Sequence, residues 1–479
     1  MAGNTYYIEE AQGVAIQYKG NGRYAYETHN KWNKEKKKYE TVWKYLGVVN
    51  PETGEYTKKQ KPLKHERLIL NYGDSFMLNE YSEKSGLKTL VEAVFGDMTQ
   101  SIFALVFFKL IESAAMQHAQ TWFEGNYARI IFQNADLSTQ RISDLLKAIG
   151  DERLLRVFFK RYLDKVYTNN GVIIDSTGLQ NEISFPFCAY GHHGGNIEKE
   201  TRLLLVVDKE NSQPLYFRYM PGNIVDVSTL QTTVKELSAM GVNTNYALID
   251  AGYYSQDNIT HLYDNSISFL IRLPAGRTLF SQLVEQTRFT LESIGNSVVY
   301  GDRALYIQKV DVTLYDKYPA FAYVCCDIKR RAEDTVKLLI EAKDDKLSQA
   351  DIAEKLRRKG IFVLLSASDI PVSEVLPLYY LRQCAEQIFQ ISKSYADILP
   401  LRVHSENALR GAIFLNFLCV ILYINLRNQL TVDTTVESTL MHMRNLMCKV
   451  FDDGSVLPSE MTKKQRLFSD AISCTVGIF

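Results

Sequence analysis

No C-x-x-C pair occurs in this sequence. Its seven cysteines, Cys188, Cys325, Cys326, Cys384, Cys419, Cys448 and Cys474, are odd in number and scattered. That excludes a disulfide framework and a zinc-ribbon type of site, and fits a reducing, cytoplasmic setting. The eight histidines form no pair spaced for a metal on one helix. His192 and His193 are adjacent, which points them apart in regular structure, and they read as loop residues. The formal net charge is zero, so bulk charge announces no polyanionic partner. The N-terminal MAGNTYYIEE lacks the pattern of a secretory signal. The longest apolar runs, IFALVFF (102–108) and GAIFLNFLCVILYI (411–424), are too short to span a bilayer and read as buried helices, so no membrane is expected.

What is present is an ordinary globular composition, 46% hydrophobic and 23% charged, over 479 residues. A chain of that length divides into two to four domains or subdomains. Residues 1–83 read as a basic, strand-rich N-terminal domain. Between His29 and Lys64 stand ten lysines against four glutamates. Trp32, Tyr39 and Trp43 are interleaved with them in KWNKEKKKYETVWKY. This is either a charged β-surface or a surface for phosphates with aromatic support.

Residues 84–168 carry a helical period. From 169 the pattern becomes β, β, β, α, β, α, β over 169–275. GVIIDST ends a strand in Asp175, and NYALID ends another in Asp250. DVSTLQTTVKELSAMG (226–241) reads as a helix capped by Asp226, and Asp208 reads as a turn residue. Residues 276–358 read as an inserted subdomain, β-rich and then helical. Residues 359–430 resume the core with the strand GIFVLLSA and the helix YYLRQCAEQIFQISKS, and 431–479 read as a helical tail.

That last helix is unusual. At about 100° per residue, with Tyr379 at 0°, Arg382 falls near 300°, Glu386 near 340° and Lys393 near 320°. One arc of about 60° thus holds a carboxylate between two cations, opposite an apolar side. Taken alone this is an amphipathic helix with an i,i+4 ion pair. Two strand-end aspartates change its meaning. In an open sheet, ligand groups gather at strand ends near a topological switch point. If the strands of Asp175 and Asp250 are neighbours, a helix crossing that end can add Glu386. Three clustered carboxylates repel one another unless a divalent cation neutralises them. Oxygen ligands suit Mg²⁺, and two such ions can clamp both oxygens of a phosphoryl transfer.

Tyr379, Arg382, Glu386 and Lys393 fit without a gap the Y-x2-R-x3-E-x6-K signature. In this the chain resembles a large family of bacterial insertion-sequence DDE transposases. IIDST around Asp175, LIDAGYYS around Asp250 and MPGNIVD (220–226) resemble that family's motifs in the same order, over about residues 90–470. The resemblance implies an α/β fold. Its core would be a ribonuclease-H-like mixed sheet flanked by helices and interrupted by an inserted subdomain, after the basic N-terminal domain and the helical segment. It implies Asp175, Asp250 and Glu386 as the catalytic, metal-binding triad, with two Mg²⁺ ions or Mn²⁺ in their place. It implies Tyr379, Arg382 and Lys393 as contacts to transposon-end DNA. It implies cleavage at the element's ends and strand transfer into target DNA by a homodimer on double-stranded DNA. The basic N-terminal segment is the candidate for binding the terminal repeats. The alternatives are a transposase-derived nuclease that cuts without joining, or a DNA-binding protein without catalysis.

Overall fold

The structure, a computed structural model, describes residues 6–7, 14–58, 65–112, 114–180, 186–193, 196–224, 226–344, 348–394, 398–399, 403–430 and 434–473. The chain forms two compact units, Met1–Leu68 with Lys449–Val456, and Ile69–Cys448 with Leu457–Phe479.

The first unit holds a five-stranded antiparallel sheet in chain order. Its strands are β1 (Tyr6–Tyr7), β2 (Val14–Lys19), β3 (Gly22–Asn33), β4 (Lys38–Val49) and β5 (Tyr56–Lys58). Alternating Tyr, Thr, Val and Trp favour these extended strands. Asn33 Oδ1 accepts the backbone N–H groups of Glu35 and Lys36 at 3.0 and 3.1 Å and closes the β3–β4 turn. Lys59, Lys61 and Lys64 of the basic segment lie outside the described residues.

The strand β6 (Glu66–Asn71) leads into helices. These are α1 (Gly73–Lys84), α2 (Leu87–Phe95), α3 (Thr99–Ile111), α4 (Ala119–Gly125), α5 (Ala128–Ile131), α6 (Thr139–Ile149) and α7 (Glu152–Val166). The helical region therefore begins at Gly73, earlier than residue 84. Gly86, at φ 79°, separates α1 from α2. Asp151 caps α7 by accepting from the N–H groups of Arg153 and Leu154.

The core sheet follows. Its first strands are β7 (Val172–Gln180), β8 (Ala189–His193), β9 (Asn196–Asp208) and β10 (Pro214–Pro221). Then come α8 (Leu230–Ala239), β11 (Tyr246–Ile249), α9 (Gln256–Asp264) and β12 (Ser268–Leu273). β10, β9 and β7 are antiparallel, and β7, β11 and β12 are parallel, in the spatial order β10-β9-β7-β11-β12. This is the order and sense of a ribonuclease-H-like sheet, as expected. Its strands are continuous β-branched and leucine runs because both faces are buried. His192 and His193 belong to β8 and not to a loop. α8 starts at Leu230 with Thr229 before it, so Asp226 does not cap it. The side chain of Asp226 lies outside the described residues.

The segment 276–358 opens with a helix, α10 (Thr278–Gln286), where the sequence suggested strands. It continues with β13 (Ser297–Tyr300), β14 (Arg303–Leu314), β15 (Tyr318–Asp327), α11 (Ile328–Asp344) and α12 (Gln349–Arg358). β16 (Ile361–Ser366) pairs with both β12 and β15, so the insertion extends the core sheet to ten strands. α13 (Val372–Tyr380), α14 (Gln383–Ser394) and α15 (Glu406–Gln429) complete the core. Residues 431–479 are not all helical, since α16 (Val436–Arg444) and α17 (Lys463–Ser473) flank β17 (Met447–Phe451) and β18 (Val456–Pro458).

Two stretches, Leu87–Ile111 and Glu406–Gln429, are long and apolar enough to cross a membrane. The apolar run 411–424 thus sits in a longer helix than its own length indicates. Of the most apolar window of α15, 94% is buried inside the protein, which makes it the central core helix. Its close partner is α6. A Cβ on Gly411 would stand 1.9 Å from the carbonyl oxygen of Leu146, so the two backbones touch where only glycine fits.

Candidate active site

Parallel pairing of β7 with β11 runs from Val172 opposite Ala247 to Ile174 opposite Ile249. Asp175 and Asp250 are therefore the next residues on adjacent strands, side by side. Asp250 follows the last residue of β11. Asp175 does not end its strand, since β7 continues to Gln180 through its pairing with β9. What ends at Asp175 is the ladder to β11. The sheet splits there, at the switch between its antiparallel and parallel halves, and the two carboxylates line the cleft. Asp250 makes no side-chain cap to the turn that follows it.

The third wall comes from two helices, not one. Pairing at i,i+3, with Arg382 N on Tyr379 O and Cys384 N on Leu381 O, interrupts the helix at Leu381–Arg382. Tyr379 closes α13, Arg382 occupies the joint, and Glu386 and Lys393 lie on α14. A single helical wheel through all four is thus wrong in detail, yet they still reach one cleft.

Arg382 is the centre of the arrangement. Its Nη2 lies 3.1 Å from Asp175 Oδ2, its Nη1 3.1 Å from Asp250 Oδ1, and Nη2 3.9 Å from Glu386 Oε1. Nη1 also donates to Tyr379 Oη at 3.2 Å. The Arg382 side chain is 11% exposed and Asp175 12%, while Asp250 at 41% and Glu386 at 62% border solvent. Burial pushes the Asp175 carboxyl up to about 6. Arg382 opposes that shift, Asp250 adds to it and the Ser176 N–H opposes it. Burial works against the Arg382 cation, but Asp175, Asp250 and Tyr379 outweigh it and hold the guanidinium above its usual range. Arg382 Nε is buried and finds no acceptor among the described residues. At the far end of α14, Lys393 Nζ donates to Thr177 Oγ1 at 2.8 Å. Burial lowers the Lys393 ammonium, with Glu200 partly offsetting it.

All six residues expected from the sequence thus lie around the split of β7 and β11, the acids and Tyr379 at Arg382, and Lys393 beside Thr177 one turn of strand further on. Thr177 is the residue that sequence reasoning missed. It stands two positions after Asp175, on the same face of β7, inside the quoted IIDST, and that spacing was the available signal. Asp208 is the structural residue it was read as. It is fully buried and accepts from Thr168, Glu210 and Asn211.

The donor set is one of carboxylate oxygens, which suits a hard divalent cation. In this arrangement no three His, Cys, Asp or Glu side chains among the described residues are close enough to hold a metal. The reason is visible: the guanidinium stands between them and supplies the compensating charge. The chemistry of the donors suits such an ion, while the guanidinium, its Nε without an acceptor among the described residues, holds the place between them. A cavity of about 390 Å³ lies elsewhere. Its three glutamates are each paired, as Arg156–Glu152, Arg218–Glu236 and Arg410–Glu406, with Lys160 also in the lining, so it offers no comparable cluster of acids.

A ribonuclease-H-like sheet with two aspartates at its split and a glutamate on a late helix defines a nucleotidyl-transfer enzyme of the DDE type. The Transposase DDE domain family matches residues 167–422, more than half of the chain, and the chain belongs to that family. It is a DDE transposase, and enzymes of this family depend on divalent cations. No curated protein matches the chain. Among solved structures, the cryo-EM structure of the piggyBac transposase synaptic complex with hairpin DNA is similar over 83% of this chain and 77% of that one. The TM-score is 0.41 and the identity 10%, a likeness that assigns no residue.

Proposed function

We propose that this transposase cuts DNA at the ends of an insertion sequence and joins the freed 3′-hydroxyl to target DNA at one active site. It would use Mg²⁺ held by Asp175, Asp250 and Glu386, and act as a homodimer on DNA. The observation that carries this reading is the convergence of the three acids on Arg382 at the split of β7 and β11. When bound, divalent ions supply Lewis-acid polarisation of the phosphate and a more acidic water. The protein's own part is placement and charge. Asp175 is held by the Ser176 N–H and by burial, so its oxygens have a fixed direction. Once the acids are otherwise neutralised, the Arg382 fork can take a phosphate oxygen pair. Tyr379 gives that fork a second anchor, and Lys393, which here donates to Thr177, would take a flanking phosphate. Phosphoryl transfer asks for little else, because positioning and charge dominate it.

A strand-transfer assay with paired end-bearing duplexes and Mg²⁺ tests the reading. Joined product is the expected result. Cutting without joining would make the chain a nuclease, and binding without cutting a non-catalytic DNA-binding protein.

A further inference from the structure

Among the described residues, the outer half of the β3–β4 hairpin is a two-stranded arm. Pairing of β2 with β3 stops at Glu27, and pairing of β5 with β4 stops at Gly47. Beyond them, Thr28–Asn33 and Lys38–Trp43 pair only with each other among the described residues. At about 3.4 Å per residue the arm is roughly 20 Å long. Such a ribbon buries almost nothing and is marginally stable by itself.

Its two faces differ. The register sets Tyr26 opposite Tyr45, Thr28 opposite Trp43, Asn30 opposite Thr41 and Trp32 opposite Tyr39, all on one face. Trp32 and Tyr39 meet edge to face with centroids 5.0 Å apart, and Tyr26 meets both Trp43 and Tyr45. Trp32 is 47% exposed and Tyr39 69%. The opposite face carries Lys31 across from Glu40 and Lys44 across from Glu27. The tip is Lys34-Glu35-Lys36-Lys37-Lys38. Residues 28–45 hold six lysines against two glutamates. A row of exposed aromatics costs solubility and marks a contact surface. The positive tip fits a polyanion. Edge lysines also guard the bare strands against pairing with a second copy.

We propose that this arm is a duplex-DNA reader that lays its aromatic, Thr28, Asn30 and Thr41 face into a groove and sets its lysine tip on the phosphates. Two strands with their side chains match the ~12 Å width of a major groove. The inference deepens the DNA reading above and rests on it.

The chain's three tryptophans make the test direct. Trp32 and Trp43 are on the arm, and Trp122 is buried in α4. The full chain is titrated with duplex drawn from the DNA flanking its gene, and with a scrambled duplex, following tryptophan emission without metal. Both duplexes should quench it. Trp32→Phe and Trp43→Phe should each remove part of the quench, and Trp122→Phe none. Changing Lys34, Lys36, Lys37 and Lys38 to alanine should weaken binding at least tenfold. It should also flatten the salt dependence by about 0.9 in log–log slope for each lysine that touches a phosphate. Unchanged quench in the tryptophan variants together with unchanged affinity in the lysine variant overturns the proposal. So does a change confined to oligomeric state, which would make the arm a self-association device. Normal end cleavage by a lysine variant of unaltered affinity sinks the arm and leaves the transposase. Full quench without any cleavage by the native chain sinks the transposase function and leaves the arm.

Discussion

The active site and the β3–β4 arm hold charge in opposite ways. At the candidate site, Arg382 and Asp175 are nearly buried, and Arg382, on the joint between two helices, is held by Asp175 on β7 and by Asp250 just after β11. On the arm, Lys44 and Glu27 pair at 3.3 Å with 70% and 52% of their side chains exposed. An exposed pair contributes little to stability, whereas an uncompensated buried charge costs several kcal/mol. The site therefore stores electrostatic tension that a ligand can use, and the arm stores none. Substitutions should separate the two regions by kind as well as by size.

The largest effect belongs to the acids. Asp175→Asn, Asp250→Asn and Glu386→Gln should each reduce end cleavage by a factor of roughly 10³ or more, since each removes a group expected to hold the metal. Binding to end-bearing duplex should persist. Near-native cleavage by any one variant would remove that residue from the triad.

Next is Arg382→Met. It leaves Asp175 and Asp250 facing each other without compensation, for a loss of about 3–5 kcal/mol in metal-free protein. Mg²⁺ should restore more thermal stability to this variant than to the native chain, because the ion and the guanidinium compete for one role. Equal stabilisation of both would show that Arg382 does not occupy the place of a cation.

Asp175 also predicts a pH slope in metal-free protein. Its folded value of about 6 lies above the ordinary 3.8, so the folded state binds the proton more tightly. Below about pH 3.8 the group is neutral in both states and costs nothing. As pH rises toward 6 the unfolded chain ionises first, and stability falls by up to about 3 kcal/mol. Above 6 the loss is complete and constant. Denaturant titrations across that window should show the fall in the native chain and a flatter profile in Asp175→Asn. Matching profiles would mean that the carboxyl is not held out of water.

Part of the site was legible in the sequence because short apolar runs closed by an acid are local patterns, although Asp175 ends only the ladder to β11 and not its strand. The IIDST and LID stretches place Asp175 and Asp250 without knowledge of the fold. Their adjacency required a parallel pairing across more than seventy residues, and only topology supplies that. The break at Leu381–Arg382 was hidden, since neither residue is a helix breaker and the i,i+3 pairing there shows only in the structure. The insertion misled for a related reason. Its strands carry ordinary β patterns, and nothing local shows that β15 pairs with β16 and joins the core sheet. Run length understated α15 because Asn425 and Arg427 interrupt hydropathy without interrupting a helix.

The smallest effect is on the arm, and a core substitution gives it its scale. Phe414 on α15 is fully buried against Phe95 and Phe158, and Phe414→Ala should cost about 3–5 kcal/mol. Tyr39→Ala on the arm removes a larger ring, but one that is 69% exposed and whose ring partner among the described residues is Trp32, edge to face. Its cost in stability should stay within about 0.5 kcal/mol. Chemical denaturation of the two variants against the native chain measures both. A Tyr39→Ala loss approaching that of Phe414→Ala would mean that the arm's aromatic face is packed in solution. A surface already covered could not also be open for DNA.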